Sequence, residues 1–360
     1  MMQLEPGSNT DVLVVGGGPA GLAAAIATRR KGFSVRVVDG AYPPIDKACG
    51  EGLMPDALLA LKELGIGIPV GAGGVFRGIR FLGDDISLEA EFPSRYALGL
   101  RRTVLHQVLV RAAEEAGVEL CWGTSAGDLA EARARWIVGA DGYNSKVRKW
   151  AGLERWRSQR ERYGFRVHYQ LPPWSPFVEV YWHAEFQMYV APVGSDEVLV
   201  ALLSRDPHLR VEEALEFFPD LQARLGDAPR TDTERGGVSA TRQLWTVTQG
   251  SVALIGDASG SVDAITGEGL GLAFRQALAL ADALAANHLD AYERAHRRLL
   301  RRPKFMADLL LLLDGKAELQ DRALRYLARH PSVFRFLLAW HVGEARNPMR
   351  MLGRMSERVQ

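Results

Sequence analysis

The chain reads as α/β in class, α+β overall: a parallel-sheet lobe built from separated segments, an antiparallel sheet inserted in it, and a helical C-terminus. Three observations predict this. Residues 11–39 run strand, Gly-rich turn, helix, strand. Between Tyr163 and Leu203, short alternating segments rich in Val, Tyr, Phe and Trp are broken by Pro172-Pro173 and by Gly194-Ser195-Asp196, the pattern of antiparallel strands. Beyond Asp290 helical segments dominate. The 360 residues exceed one ordinary core, so two lobes are the natural expectation. With 47% hydrophobic and 24% charged residues the composition is that of a globular chain and excludes disorder.

Asp11 to Val15 is a short apolar strand that runs directly into Gly16-Gly17-Gly18-Pro19-Ala20-Gly21. Leu22 to Arg30 is Ala-rich and helical, and Ser34 to Val38 is a second strand ending in Asp39. The order matters more than the glycines. Gly16 permits a tight turn, Gly18 removes a side chain where a diphosphate must approach, and Gly21 lets helix and strand pack closely. The helix N-terminus presents free N–H groups and a positive dipole end to the phosphates. Asp39 stands where an acid accepts both hydroxyls of an adenosine ribose. It favours a ribose without a 2′-phosphate, hence FAD or NAD in this Rossmann-like lobe. No second fingerprint follows a strand: Gly71 to Gly74 and Gly236-Gly237 read as turns. One dinucleotide without a second nucleotide domain suggests a tightly held flavin visited by NADH or NADPH.

The later elements follow from pattern and punctuation. Val104 to Ala116 is a helix ended by Gly117, and Val118 to Trp122 is a strand. Arg135 to Val138 leads into Gly139-Ala140-Asp141-Gly142. The antiparallel strands are Tyr163 to Leu171, Phe177 to His183, Met188 to Pro192 and Val198 to Leu203. Ser251 to Ile255 is a further strand, followed by Gly256-Asp257, the turn Thr266-Gly267-Glu268-Gly269, and a helix to about Ala286. Leu309 to Leu313, between Asp308 and Asp314, reads as about one turn of buried helix. The expected domains are residues 1–60, 95–150 and 245–290 for dinucleotide binding, 61–94 and 151–244 for substrate, and 291–360 as the helical region.

Three motifs in this order resemble those of FAD-dependent oxidoreductases in the aromatic-hydroxylase and geranylgeranyl-reductase superfamily. The first is Gly16 to Gly21 with Asp39. The second, IVGADGYNSKVRKWAGL, carries Asp141, Gly142, Ser145 and Arg148 at the matching positions, and the resemblance implies that it borders the flavin diphosphate and the nicotinamide approach. The third, VALIGDASGSVDAITGEGLGLAF, carries Gly256 and Asp257, whose acid the resemblance assigns to the FAD ribitol. Gly267 and Gly269 let backbone lie against a flat ring, and the helix beginning there would stabilise a reduced, anionic flavin if the N1–C2 carbonyl edge lies ahead of it. Asp46 to Pro55 (DKACGEGLMP) is similar to the geranylgeranyl-reductase branch, which places the Cys49-Gly50 pair near the isoalloxazine ring and makes Lys47 a further cofactor-binding candidate. Cys49 is either a thiol against flavin or substrate, or a small buried apolar residue. Arg102 holds the place of an FAD-contacting arginine, with Arg101 its competitor. Glu268 reads as a structural residue of the first helical turn, and Cys121 as core.

Departures from the family narrow the activity. Ala264-Ile265 replaces the proline expected before Thr-Gly-Glu-Gly, and the Tyr-x-Trp-x-Phe-Pro segment of the reductases survives only as Gln187 to Pro192, with Tyr189 in the tryptophan's place. The Trp-x-Trp-x-Ile-Pro segment of halogenases is absent, and the stretch between Trp122 and Trp136 is shorter than the family's hairpins. The expected activity is therefore NAD(P)H-dependent hydroxylation of a small apolar or aromatic molecule by a flavin monooxygenase. The alternatives are a reductase that saturates carbon–carbon double bonds, a non-catalytic FAD-binding or escort protein, and an enzyme whose substrate is a residue on another protein. Candidate catalytic residues are Cys49, His183 and Tyr189, with His168 a second candidate proton donor. Alternation puts Tyr181 and His183 on one strand face and Trp182 on the other, without saying which is wet.

The two cysteines build neither a disulfide framework nor a zinc site, so no metal is expected and a reducing cytoplasm is the default location. The N-terminus shows no signal peptide. A net charge of +1 gives no steer toward nucleic acid. From Asp290 onward, however, 15 Lys or Arg stand against 8 Asp or Glu. Those helices present either solvated faces or a basic surface for peripheral contact with an anionic membrane. Oligomeric state has no signal in the sequence.

Overall fold

A computed structural model describes residues 10–83, 85–93, 96–124 and 134–345. Val12 to Val15 and Val35 to Val38 are β-branched or apolar runs, the composition a parallel strand buried on both faces requires. They form the centre of a six-stranded sheet in the order Thr248–Gln249, Val252–Leu254, Ala134–Gly139, Thr10–Val15, Val35–Asp39, Glu119–Trp122. Every neighbouring pair is parallel except the Thr248–Gln249 edge. Helices Pro19–Arg30, Arg102–Glu115 and Gly269–Ala285 cover it, and the largest core lies between them and the sheet.

The second sheet has eight strands: Gly260–Ser261, Arg235–Leu244, Trp156–Tyr169, Val198–Ser204, Phe186–Pro192, Phe177–Trp182, Gly78–Leu82 and Ser87–Glu91. All pairs are antiparallel except Phe177–Trp182 with Gly78–Leu82. Strands 78–82 and 87–91 thus come from the 61–94 segment to join those of 151–244. A three-stranded sheet of Gly52–Leu53, Ala97–Gly99 and Gly74–Phe76 lies where the chain crosses between lobes. Helices Leu289–Leu311, Ala317–Arg329 and Pro331–His341 pack over one face of the eight-stranded sheet.

The register settles which face is which. Val180 pairs with Tyr189 and Trp182 with Gln187. Tyr189 in turn pairs with Ala201, and Ala201 with Arg166. Because side chains alternate, Val180, Trp182, Tyr189 and Arg166 share one face, turned to the interior of the molecule. Tyr181 and Met188 fall on the other, in a separate core beneath helices Val211–Leu215 and Pro219–Leu225.

Three local expectations are corrected. Gly236-Gly237 is not a turn but part of the strand Arg235–Leu244, where Gly237 pairs with Gly164. Two facing glycines weaken a strand yet leave the sheet surface bare. Leu309 to Leu313 is not sealed into a core: Leu312 is 55% exposed and the others are half-buried, because the helices stand off from the sheet here. Cys121 sits at the sheet edge, half-buried against the core, with its thiol pushed up by burial.

Candidate active site

Standing off leaves a cavity of about 1160 Å³ between the lobes. That exceeds the roughly 300–1,000 Å³ of a site for one small ligand. One end is Gly-rich and polar, the other apolar.

At the polar end the strand Thr10–Val15 stops at Gly16, whose φ of +110° is open to glycine. A Cβ there would lie 2.3 Å from the Ala140 carbonyl oxygen, and one on Gly21 only 1.8 Å from that of Gly16. Those two glycines let the turn close. Gly18 has the opposite reason: its missing Cβ faces open space, with Arg102 Nη2 nearest at 3.9 Å. The helices Pro19–Arg30 and Gly269–Ala285 both begin on the cavity wall, aiming their unpaired N–H groups at it. Asp39 is fixed by accepting the Gly17 N–H at 2.7 Å on Oδ2 and the Ala41 N–H at 2.8 Å on Oδ1.

The two arginine candidates separate cleanly. Arg101 pairs with Glu197 at 2.5 Å and Asp232 at 3.1 Å, whereas Arg102 lines the cavity with a buried Nε that has no protein partner. An unanswered guanidinium N–H beside Gly18 and a helix N-terminus fits a diphosphate. Asp141 accepts the Lys146 and Val147 N–H groups at 2.6 and 3.1 Å on Oδ2 and leaves Oδ1 unpartnered on the wall. Asp257 Oδ2 meets Lys47 Nζ at 2.8 Å. Gly50, Gly142 and Gly269 all have open space where a Cβ would stand. The residues present fit FAD along this wall: Gly18, Pro19, Ala20, Asp39, Arg102, Asp141 and Asp257 would hold its polar half, and Lys47, Cys49, Gly50, Gly267 and Gly269 would border its ring.

Buried polar groups, whose partners the sequence did not reveal, hold this wall in place. His106, fully buried, spans Gly17 O at 2.9 Å and the Ile45 N–H at 3.4 Å, and burial depresses its pKa. Its neutral form serves here, one nitrogen donating and the other accepting. Arg148, 1% exposed, donates to Ala258 O and Tyr143 O and so ties the second motif to the third. Glu51, at φ +56° and buried, accepts the Arg102 N–H at 2.8 Å and faces His168 Nε2 at 2.8 Å. His168 Nδ1 faces Asp232 at 2.8 Å, and Arg166 reaches both Asp232 and Asp46. Arg162, Arg166 and His168 fall on one face of the strand, with Gly164 between the arginines, and polar side chains on the inward face of a strand's buried half are the signal of such a network.

The catalytic candidates fare unequally. Cys49 lines the cavity, half-buried, its sulfur accepting the Glu51 N–H at 3.3 Å. Tyr189 presents its ring to the cavity, but its hydroxyl is buried without a partner in the field of Arg162, Asp263 and Asp314. Burial keeps that phenol protonated, and the hydroxyl is not on the wall to donate. His183 lies outside the cavity: its ring packs on Phe186 and Phe217 at 4.4 and 5.0 Å, because alternation sends it to the Tyr181 face. His168 is sealed between its carboxylates and also lies off the wall. Glu268 points away, toward Arg302 at 3.2 Å and His341 at 3.4 Å. Gly21 likewise serves packing rather than contact. Trp182, left open between faces, lies on the cavity side. No His, Cys, Asp and Glu group able to hold a metal occurs among the described residues.

Fold and site together define a flavin-binding oxidoreductase. The family model described as FAD binding domain matches residues 9–132 and 124–301, so the chain belongs to that family and is an FAD-dependent oxidoreductase. Menaquinone reductase of Mycobacterium tuberculosis is 29% identical over 307 residues, 73% of each chain. A 3-hydroxybenzoate 6-hydroxylase of Polaromonas naphthalenivorans is 29% identical over 329 residues, 78% of this chain and 80% of the other. Among solved structures, a flavoprotein/dehydrogenase from Cytophaga hutchinsonii superposes with a TM-score of 0.79 at 17% identity, covering 92% of both chains; it supports the fold. Among the described residues no helix is long and apolar enough to cross a membrane.

Proposed function

We propose that the protein is a flavin monooxygenase: NAD(P)H reduces the bound FAD, and the reduced flavin with dioxygen hydroxylates an apolar or aromatic molecule. One observation carries this reading, the apolar limb that continues directly from the flavin wall under a cover of helices. Bound FAD supplies the redox chemistry. The chain's own residues supply placement and dryness. Phe81, Val180, Trp182 and Ile265 line the cavity with apolar surface and would keep water from the reacting end. The N-terminus of helix Gly269–Ala285 faces the cavity and would favour negative charge on a ring bound there. The hydroxylase relative supports this reading.

A second reading is favoured by the wall at Lys47, Cys49 and Gly50 and by the menaquinone reductase relative: a reductase delivering hydride to a carbon–carbon double bond. Stopped-flow absorbance separates the two. The anaerobically reduced holoprotein is mixed with oxygenated buffer. A monooxygenase passes through a resolved transient before the oxidised spectrum returns; a direct return in one phase, with and without apolar ligand, supports the reductase.

A further inference from the structure

The family match ends at residue 301, and the helices that follow build something of their own. Leu310, Leu313, Leu327, Leu337 and Leu338 line the cavity from this segment. Leu338 is buried in the core beneath the helices, and Leu310, Leu313 and Leu327 pack partly against that core while leaving the rest of each half-buried side chain on the cavity wall. Opposite them stand Phe81, Val180 and Trp182. Phe81 contacts Trp182 at 5.6 Å and Phe334 at 5.0 Å between ring centroids, joining the two walls. Charge is kept out. The segment is rich in arginine, yet the described residues after 301 that line the cavity are Leu, Met, Ala, Val, Phe, Tyr326 and His341. Tyr326 is 49% exposed and also on the wall, so the limb opens to solvent there. His341 is tied back, its Nε2 against Thr266 O at 3.0 Å.

From this lining we infer that the substrate carries an extended aliphatic chain, seated between the C-terminal helices and the Phe81–Val180–Trp182 face, with its reacting head at the flavin. The inference rests on reading the cavity as the substrate site and adds the substrate class. A compact aromatic would leave the leucine limb unfilled, and unfilled apolar volume earns no binding energy. A chain running from the flavin wall toward Tyr326 covers those leucines, and each buried methylene tightens binding by about fourfold.

The test is binding to the oxidised holoprotein, read from the absorbance of its FAD, with 4-n-alkylphenols from ethyl to octyl as probes. Leu327→Trp and Leu337→Trp each place an indole in the limb. The expected result is a dissociation constant falling about fourfold per methylene to at least the hexyl homologue in the parent protein. In the variants the ladder stops short while the ethyl homologue binds as before. A parent ladder already flat beyond ethyl, or variants that lose ethyl and octyl homologues equally, overturns the inference. Because this reads binding and not oxygen chemistry, a flat ladder in a protein that passes the stopped-flow test removes the chain and leaves the monooxygenase.

Discussion

At the scale of single residues, a glycine in this site has one of two jobs, and the neighbours of its absent Cβ tell them apart. Gly16 and Gly21 press backbone against backbone, whereas Gly18 borders only space and Arg102. A side chain at Gly18 would therefore spare the turn and fill the open space where a diphosphate would lie. Gly18→Val is expected to fold with an unchanged far-ultraviolet spectrum and to purify colourless. Full flavin occupancy in that variant would remove this turn from the FAD site. These roles were legible in the sequence because a glycine fingerprint is local: strand, turn and helix are consecutive. The residues that brace the wall were not. His106 reaches Gly17 across 89 positions and His168 reaches Glu51 across 117, and no local pattern reports which distant backbone atom a buried imidazole will meet. His183 failed for a related reason. Alternation paired it with Tyr181 correctly, but which face of a sheet is the interior depends on what packs there.

At the scale of elements, strands and helices of the parallel lobe fall within one to three residues of their pattern-derived limits, the largest offset being the first helix, which begins at Pro19 rather than Leu22, since apolar runs and glycine punctuation set them. The glycine pair Gly236-Gly237 misled because two glycines in sequence imitate a turn; only the cross-strand pairing of Gly237 with Gly164 shows a strand. Helix Leu289–Leu311 illustrates how an element carries chemistry into the core. Its His296, 3% exposed, meets Ser259 Oγ at 3.0 Å, and Ser259 donates to Gly256 O at 2.8 Å. Burial lowers the His296 pKa to about 4. An unfolded histidine titrates near its ordinary value of about 6.5. The unfolded chain thus binds a proton that the folded one refuses between those values, and stability falls as pH drops through that window and levels off below it. The contribution lost is roughly 3 kcal/mol. His296→Gln keeps a donor for Ser259 and removes the titration. Urea melts at pH 7 and pH 4.5 should show a smaller acid loss in the variant than in the parent, and equal losses would refute the assignment.

At the scale of the whole molecule, the site exists because three parts meet: the parallel sheet brings the diphosphate wall, the antiparallel sheet the opposite face, and the C-terminal helices the roof. The roof is anchored where the chain leaves helix Leu289–Leu311. Asp314, 4% exposed, accepts Arg205 Nε at 2.7 Å and Gln187 Nε2 at 3.2 Å and lies 3.8 Å from the buried Arg162. The next residue donates its N–H to Ala184 O at 2.7 Å. Beyond this clamp the helices hold by burying Leu324, Phe334, Leu338 and Val342 against the sheet, and by the Phe81–Phe334 contact, the Arg325–Asp85 pair and His341. Arg325–Asp85 is exposed and contributes little. Removing the Asp314 carboxylate leaves Arg162 with Asp263 as its one close acid, and breaking one member of a buried ionic group costs about 3–5 kcal/mol. Asp314→Ala is accordingly expected to speed amide hydrogen exchange across residues 317–341 at least tenfold. Exchange in strands Thr10–Val15 and Val35–Asp39 stays at the parent rate, because their core does not include the clamp. Exchange that rises equally in both regions would mean that roof and flavin lobe unfold as one cooperative unit, and that the roof has no independent opening through which a chain-bearing substrate enters.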